Sequence, residues 1–400
     1  MNILIVNCGS SSLSYKVYQV SPDNQSEAIL SGKARNVAAR TQAEPLIEWN
    51  TGGIKRSKNC PLPSHAVAAA EMLRVLSQEG IEVDAAGHRF VHAGDVFRAT
   101  VRIDESTIPD LVECLPLAPI HNPNSYSVIE VCTDAMPGLP QFAVFDTAFH
   151  AKMPPAAREY ALPVDLAQRY GLRKYGFHGL SYQYVSAQAA RMLGKPLNGV
   201  RLIMCHLGTG GSSVCAFTDG KSVDTSMGFS PLAGLVMSTR CGDIDAEVAL
   251  ELVRRGMSAD EVSRALNNEP GLLGLSGYSS NLAEVIQAAE NGNKQCGLAY
   301  EVYARRLKFY LGAYTWLLNG ADAIVFTDDI GVSSWQLREK VCTGVEAMGV
   351  LLDFHANRAT PRDVQICVSD PASRTKILVL PTDEEKVILD EVLRLLQEGS

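Results

Sequence analysis

Five short segments set a charged or imidazole side chain among apolar or glycine neighbours. Gly87-His88-Arg89-Phe90-Val91-His92-Ala93-Gly94 places Arg89 inside a strand-like run. Leu117-Ala118-Pro119-Ile120-His121-Asn122-Pro123 reads as a loop with two polar groups among apolar ones. Val144-Phe145-Asp146-Thr147 ends an apolar strand on a carboxylate, and Tyr175-Gly176-Phe177-His178-Gly179 holds His178 between glycines. Ser238-Thr239-Arg240-Cys241-Gly242-Asp243 puts a second arginine in a loop. Taken singly, each has an ordinary structural use as a helix cap, a surface ion pair or a hydrogen-bonded core histidine. Small anionic substrates need only a few local arginine or lysine side chains of this kind. His88 and His92 have the spacing of a metal pair on a helix, but Arg89-Phe90-Val91 reads as strand and no third ligand follows. A metal is not expected there.

Two glycine- and serine-rich turns offer backbone donors for phosphate. Ile3 to Val6 is an apolar strand that enters Asn7-Cys8-Gly9-Ser10-Ser11-Ser12, and a second strand runs on to Val20. Half a chain later, Leu202 to Phe217 repeats the pattern around His206-Leu207-Gly208-Thr209-Gly210-Gly211-Ser212. Glycine lets a backbone approach phosphate oxygens closely, and successive N–H groups can cradle them, although turn composition alone favours a pair of ordinary hairpin turns. The repeat suggests a duplicated fold. No GxxxxGK[ST] loop, protein-kinase catalytic loop or GxSxG elbow is present.

The elements that must carry these groups are mixed. Ser64 caps a helix whose predicted apolar face is Ala66, Ala69, Met72, Leu73 and Leu76, ending at Gly80. Ser258 with Glu261 reads as a capping box. A long amphipathic helix is expected over about 294–318, then a strand from Ala323 to Thr327. Strands and helices throughout give an α/β class. The length of 400 residues suits two or three domains of roughly 150 residues each. The net charge of −8 and the lack of a basic run argue against nucleic acid and anionic membranes as partners. No apolar stretch approaches the ~20 residues of a membrane span, and Met1 to Val6 is too short for a signal peptide. Ten scattered cysteines without a CxxC pair read as reduced thiols, so a cytoplasmic location is expected.

In this order the segments resemble the acetate and propionate kinases, within the acetate/sugar kinase–actin superfamily, over nearly the whole chain. The runs NxGSSS, GHRxVH, LAPxHNP, FDTAFH, YGFHG, DTSMGF and PT(D)EE carry the resemblance. It implies a two-lobed actin-like ATPase (ribonuclease H-like) fold, with duplicated βββαβαβα cores and a cleft between lobes. Residues 1–150 would form the N-terminal lobe, completed by a C-terminal helix over 383–400. Residues 151–382 would form the second lobe, with the phosphate-donor site and a homodimer interface. A carboxylate of ordinary pKa, about 4, needs no base to attack phosphorus, so the task is to bring anions together and stabilise an in-line transfer. By resemblance Asp146, Arg89, His178 and Arg240 are catalytic, the arginines clamping carboxylate and phosphoryl group. Asn7, Ser10, Ser12, His206, Gly208, Thr209 and Gly210 bind phosphate. Asn7, Asp146 and Glu384 hold Mg²⁺ directly or through water, and Val91, Ile120, Phe177 and Pro231 line a small methyl pocket. Thr382 reads as an N-cap with Glu385 as its capping-box partner, which leaves Glu384 for the metal.

The departures from the family gather on the nucleotide side. Its lysine after the first turn is Ser14 here, with Lys16 on the same strand face. Its asparagine in the second turn is Thr209. The acidic and arginine residues flanking adenosine are Asn281 and Ala283, and the Gly-Gly of the adenosine loop is Asp328-Asp329, ahead of Gly331. Two aspartates add bulk and negative charge, and a missing arginine removes a flat cation from adenine. These positions resemble a diphosphate-dependent branch of the acetate kinases, also through GSSSLxYKV, HLGTGGSS, STRCGDID and FHGLSY. The resemblance implies acetyl phosphate + phosphate ⇌ acetate + diphosphate. The other readings are an ordinary ATP-dependent acetate or propionate kinase, a pseudokinase that binds acyl phosphate, and an actin-like filament protein, which would need neither the methyl pocket nor both arginines.

Overall fold

The structure, a computed structural model, describes residues 1–38 and 44–398. The chain divides into two compact units, Met1–Phe149 with Asp383–Ser400, and His150–Thr382. Residues 399 and 400, assigned from sequence to the last helix, lie outside the described residues. No helix among the described residues is long and apolar enough to cross a membrane.

In the first unit, alternating apolar residues pair as β1 (Asn2–Cys8) and β2 (Ser12–Val20), an antiparallel hairpin with Asn7 opposite Ser14. β3 (Ser26–Arg35), β4 (Leu46–Thr51) and β5 (Ile54–Asn59) extend it, and β6 (Ala85–Phe90), β7 (Val101–Arg102) and β8 (Gln141–Phe145) complete the sheet. The order is β5-β4-β3-β2-β1-β6-β8-β7. β1, β6 and β8 run parallel. β8 is buried along its whole length, as central parallel strands are. The helix Glu384–Glu398 packs on β1 and β6. There a Cβ on Gly87 would stand 2.7 Å from Val392 and 2.8 Å from Ile388, so glycine permits the approach.

The second unit repeats this plan with β9 (Leu202–Gly208), β10 (Gly211–Thr218), β11 (Lys221–Thr225), β12 (Ala323–Thr327), β13 (Ile366–Cys367) and β14 (Lys376–Val379). Its order, β11-β10-β9-β12-β14-β13, matches β3-β2-β1-β6-β8-β7 strand for strand, with the same sequence of parallel and antiparallel pairings. The fold is therefore α/β with a duplicated core, as expected. The long helix is Lys294–Leu317 and buries Tyr303, Leu307, Leu311 and Tyr314 in the second core.

Two local expectations need correction. The helix His65–Gln78 is capped by Ser64 as expected, but its buried face is Ala68, Ala69, Met72, Val75 and Leu76 with His65 and Glu71. Ala66 and Leu73 lie at its margin, because the core reaches it one residue further round than the apolar pattern suggests. The last helix begins at Glu384, and Asp383 accepts from the Lys386 N–H at 3.1 Å. Thr382 is not the cap; its hydroxyl is buried without a partner. Glu385 instead faces Lys16 at 3.7 Å. The Ser258–Glu261 capping box is present.

Candidate active site

In the first unit, the predicted polar residues converge at the C-terminal ends of β1, β6 and β8. Arg89, on β6, donates from Nη2 to Asp146 Oδ2 at 2.7 Å and from Nε to the same oxygen at 3.2 Å. Asp146 follows β8 and is 1% exposed. Arg89 Nη1 donates to Asn7 Oδ1 at 3.0 Å, and Asn7 Nδ2 donates to Glu384 Oε2 at 3.1 Å. Glu384 also lies 3.6 Å from Arg89 Nη1. Burial disfavours the Arg89 charge, but Asp146 and then Glu384 more than restore it, and its pKa is raised. Parallel strands separated by long crossovers thus bring residues 7, 89, 146 and 384 together at one sheet end, where ligands bind in open α/β sheets.

The oxygens of Asn7, Asp146 and Glu384 are hard donors of the kind Mg²⁺ takes. Asn7 Oδ1 and Asp146 are engaged by Arg89, and Glu384 Oε2 accepts from Asn7 Nδ2, so these oxygens would reach a hydrated ion only through its waters. Lys16 is held 3.6 Å from Asp383 and 3.7 Å from Glu385. Its charge is thus already compensated, which weakens it as a substitute for the family's lysine at Ser14. Ser10 and Ser12 sit in the first turn, where Gly9 N–H donates to the Ser12 carbonyl at 2.9 Å. Val91 is buried, whereas Ile120 is 63% exposed.

In the second unit, His178 precedes the helix Gly179–Met192 in left-handed backbone, φ 61°. The preceding Phe177 is buried, and its carbonyl accepts from His150 Nε2 at 3.0 Å. His178 Nδ1 lies 2.8 Å from Ser213 Oγ, and its ring stacks on His206 with centroids 4.0 Å apart. Arg240 donates from Nη1 to the Pro231 carbonyl at 3.3 Å and makes no ion pair among the described residues. Burial alone lowers its pKa. A Cβ built on Gly211 would stand 3.1 Å from Arg240 Nη1 and 3.3 Å from His178 Nε2. An imidazole nitrogen and a largely desolvated guanidinium without a counter-ion therefore converge over a glycine. A partly buried cation of that kind is completed by an anionic ligand.

The second glycine turn is altered by its neighbours. Thr209 donates to Asp329 through its N–H at 2.9 Å and its hydroxyl at 2.8 Å. Asp328 has φ 65°, the conformation for which glycine is favoured, and its Oδ2 lies 3.1 Å from His206 Nε2. That oxygen would collide with a Cβ on Gly208. Gly210 has open space beside it. Asn281 caps the helix Leu282–Glu290, accepting from Ala283 N–H at 2.9 Å. Together with Ala283, Ile286, Asp328, Asp329 and Arg362 it lines a cavity of about 750 Å³.

Sequence reasoning missed four residues here. Arg338, 1% exposed, follows the short helix Asp328–Ser333 and donates from Nη1 to the carbonyls of Gly331 at 2.8 Å and Val332 at 2.7 Å. It also donates to Asn357 Oδ1 and O, so it ties the backbone of the altered loop to another segment. Arg362 belongs to no motif. Ser213 and Tyr182 had a signal: Ser213 is two residues beyond Gly211 on a strand, and Tyr182 is four beyond His178 on a helix.

The acetokinase family model matches residues 2–390. An acetate kinase of Desulfitobacterium hafniense is 42% identical over 407 residues, spanning 100% of each chain. Among solved structures, the acetate kinase from Entamoeba histolytica matches with a TM-score of 0.90 at 39% identity, over 99% of this chain and 100% of that one. The acetate kinase of Porphyromonas gingivalis matches with a TM-score of 0.89 at 37% identity, over 99% of each.

Proposed function

This chain belongs to the acetokinase family, and on that premise we propose that it is an acetate kinase, a phosphotransferase acting between acetyl phosphate and a phosphate donor. The observation that carries the reading is the convergence of His178 Nε2 and Arg240 Nη1 over Gly211, with no carboxylate paired to Arg240 among the described residues. Both are donors aimed where transferring oxygens gain charge. Arg89, fixed by Asp146 and Asn7, binds the acetyl carboxylate end. Asp146 keeps its planar fork in place. Glu384 and Asn7 would hold a Mg²⁺ ion through its waters, and the ion would shield the phosphates. Exposed apolar side chains on the helix Lys294–Leu317, including Phe309 and Trp316, which is 89% exposed, support a homodimer through this region. Ten unpaired cysteines fit a cytoplasmic location.

The donor is proposed to be diphosphate. Its support is the loop chemistry: Asp329 takes both Thr209 donors, and Asp328 lies over Gly208 and against His206. A carboxylate there occupies donors that a longer polyphosphate chain would use, and repels it. The ordinary nucleotide-dependent reading has its own support. The 750 Å³ cavity is within the usual range for ligands of nucleoside size, and Arg362 supplies a cation beside it. The full-length likeness to proteins named simply acetate kinase backs this reading better than the diphosphate one. The test gives purified protein acetyl phosphate and Mg²⁺ with either phosphate or ADP. Faster diphosphate formation is expected. Faster ATP formation would replace diphosphate by the nucleotide.

A further inference from the structure

Arg240 is carried by a loop that a distant helix of the same unit ties shut. The loop runs from Gly234 to Asp243 and closes at its base. Gly234 N–H donates to Asp243 Oδ1 at 2.7 Å, and Asp243 N–H donates to the Gly234 carbonyl at 3.0 Å. Two glycines permit the closure, with φ 99° at Gly234 and 70° at Gly242. A Cβ would stand 2.7 Å from the Ser226 carbonyl oxygen at the first and 2.4 Å from the Leu235 carbonyl oxygen at the second.

The helix Lys294–Leu317 adds two further ties. Arg306 and Tyr310 lie four residues apart and so share a face of that helix. Arg306 donates from Nη1 to the Gly234 carbonyl at 2.9 Å and from Nη2 to the Asp243 carbonyl at 3.0 Å, so its planar fork spans both ends of the loop. Tyr310 donates to Asp243 Oδ2 at 2.6 Å and leaves Oδ1 to Gly234. Burial, and then the bond to Asp243, holds the Tyr310 phenol above its usual pKa, so it remains a donor across the neutral range. The Arg306–Asp243 ion pair, 3.7 Å apart and partly exposed, adds little stability by itself. What the bonds to main-chain carbonyls fix is the path of the loop.

That path decides where the guanidinium lies. Arg240 stands three residues before Asp243, and its Nη1 donates to the carbonyl of Pro231, three residues before Gly234. Inside the loop Met237 N–H donates to the Arg240 carbonyl at 3.1 Å. The guanidinium is therefore seated on the segment that enters the clamped base, and a slack base would let the two part. We infer that Arg306, Tyr310 and Asp243 are positioning residues that hold the Arg240 guanidinium over Gly211. The inference rests on the role given to Arg240 above, but not on which phosphate donor is used.

The test compares single variants with the same substitutions in an Arg240→Ala background. Turnover is followed with ³²P-labelled acetyl phosphate and whichever of phosphate and ADP is the better acceptor, and circular dichroism confirms folded protein. Arg306→Ala should lower kcat by roughly 10–100-fold with KM for acetyl phosphate little changed, since a small misplacement near the transferring group costs that much. Tyr310→Phe, which removes one hydroxyl, should lower kcat by roughly 3–10-fold and serves should Arg306→Ala fail to fold. In Arg240→Ala protein neither substitution should change the residual turnover by more than about 2-fold, because the group they position is gone. Equal losses with and without Arg240 overturn the inference, since the two residues would then act on the fold and not through the arginine. Turnover that survives Arg240→Ala overturns the role of Arg240 and this inference with it. A loss in Arg240→Ala beside full turnover in Arg306→Ala and Tyr310→Phe overturns the clamp alone.

Discussion

Replacing each arginine by alanine should separate their two kinds of environment. Arg89 is neutralised by a carboxylate that is 1% exposed and bonded at 2.7 and 3.2 Å. Arg89→Ala removes the cation from which this carboxylate and Asn7 Oδ1 both accept. Breaking a buried pair from one side costs about 3–5 kcal/mol. Among the described residues the Arg240 side chain donates to the Pro231 carbonyl at 3.3 Å and to Met237 Sδ at 3.7 Å and pairs with no carboxylate, so no ion pair offsets its desolvation cost. Arg240→Ala should change stability by no more than about 1 kcal/mol in either direction. Both variants should lose turnover by orders of magnitude, roughly 100-fold or more, because each removes charge where oxygens gain it. Urea unfolding of the three proteins, beside turnover with acetyl phosphate, measures both effects. Asp146→Asn in the Arg89→Ala background should recover about 2 kcal/mol, since it removes a buried charge that has lost its cation. Equal stability losses in the two arginine variants, or no recovery in the double variant, would refute the reasoning. Near-normal turnover in either would take that arginine out of the site.

Two further outcomes follow from groups outside that pair. Burial pushes His88 and His150 down to about 4, so both stay neutral in the native protein while the unfolded chain protonates near 6.5. The stability this gives is complete above about pH 6.5 and is lost as pH falls towards 4, by about 2 kcal/mol per histidine at pH 5. Urea unfolding at pH 7 and pH 5 should show a smaller difference in His88→Gln, by about that amount; an unchanged difference would contradict it. At the last helix, Asp383→Ala should cost about 0.5–2 kcal/mol as a lost cap, whereas Glu385→Ala should cost under about 1 kcal/mol as a lost surface pair. Glu384→Ala should instead raise the Mg²⁺ concentration needed for half-maximal turnover, and the reverse pattern between the glutamates would show the assignment to be wrong.

The parts of this molecule that local chemistry dictates were legible in the sequence. The two hairpins, the strand ending at Asp146 and the capping box at Ser258 follow from alternation, turn residues and cap spacing. Convergence was legible only as resemblance: nothing in residues 7, 89, 146 and 384 says that they meet until the parallel order β1-β6-β8 is known. Thr382 failed as a cap because Asp383, one residue on, competes for the same N–H groups, and composition does not rank them. Arg338, in the run Trp335-Gln336-Leu337-Arg338, was given no role because nothing in its neighbours marks it as buried, and only tertiary packing buries it. Asp328 and Asp329 were read as bulk and charge near a nucleotide, while their hydrogen bonds to the Gly208–Thr209 turn required coordinates.

The buried guanidinium of Arg338 bears on how such an enzyme could change its donor over evolutionary time. Its bonds run to the main-chain carbonyls of Gly331 and Val332 and to Asn357, and none of these depends on which side chains stand at 328 and 329. A mutation that rerouted the loop would strand a charge without solvent, at a cost of several kcal/mol, and would be purged. A mutation that changed only a side chain at the loop's start would leave that anchor untouched. The loop is therefore a fixed track on which substitutions alter charge and bulk without altering path. On the proposed reading of the donor, preference can shift in single side-chain steps through folded intermediates, and exchanging 328 and 329 without restoring an arginine at 283 should not confer good ATP use.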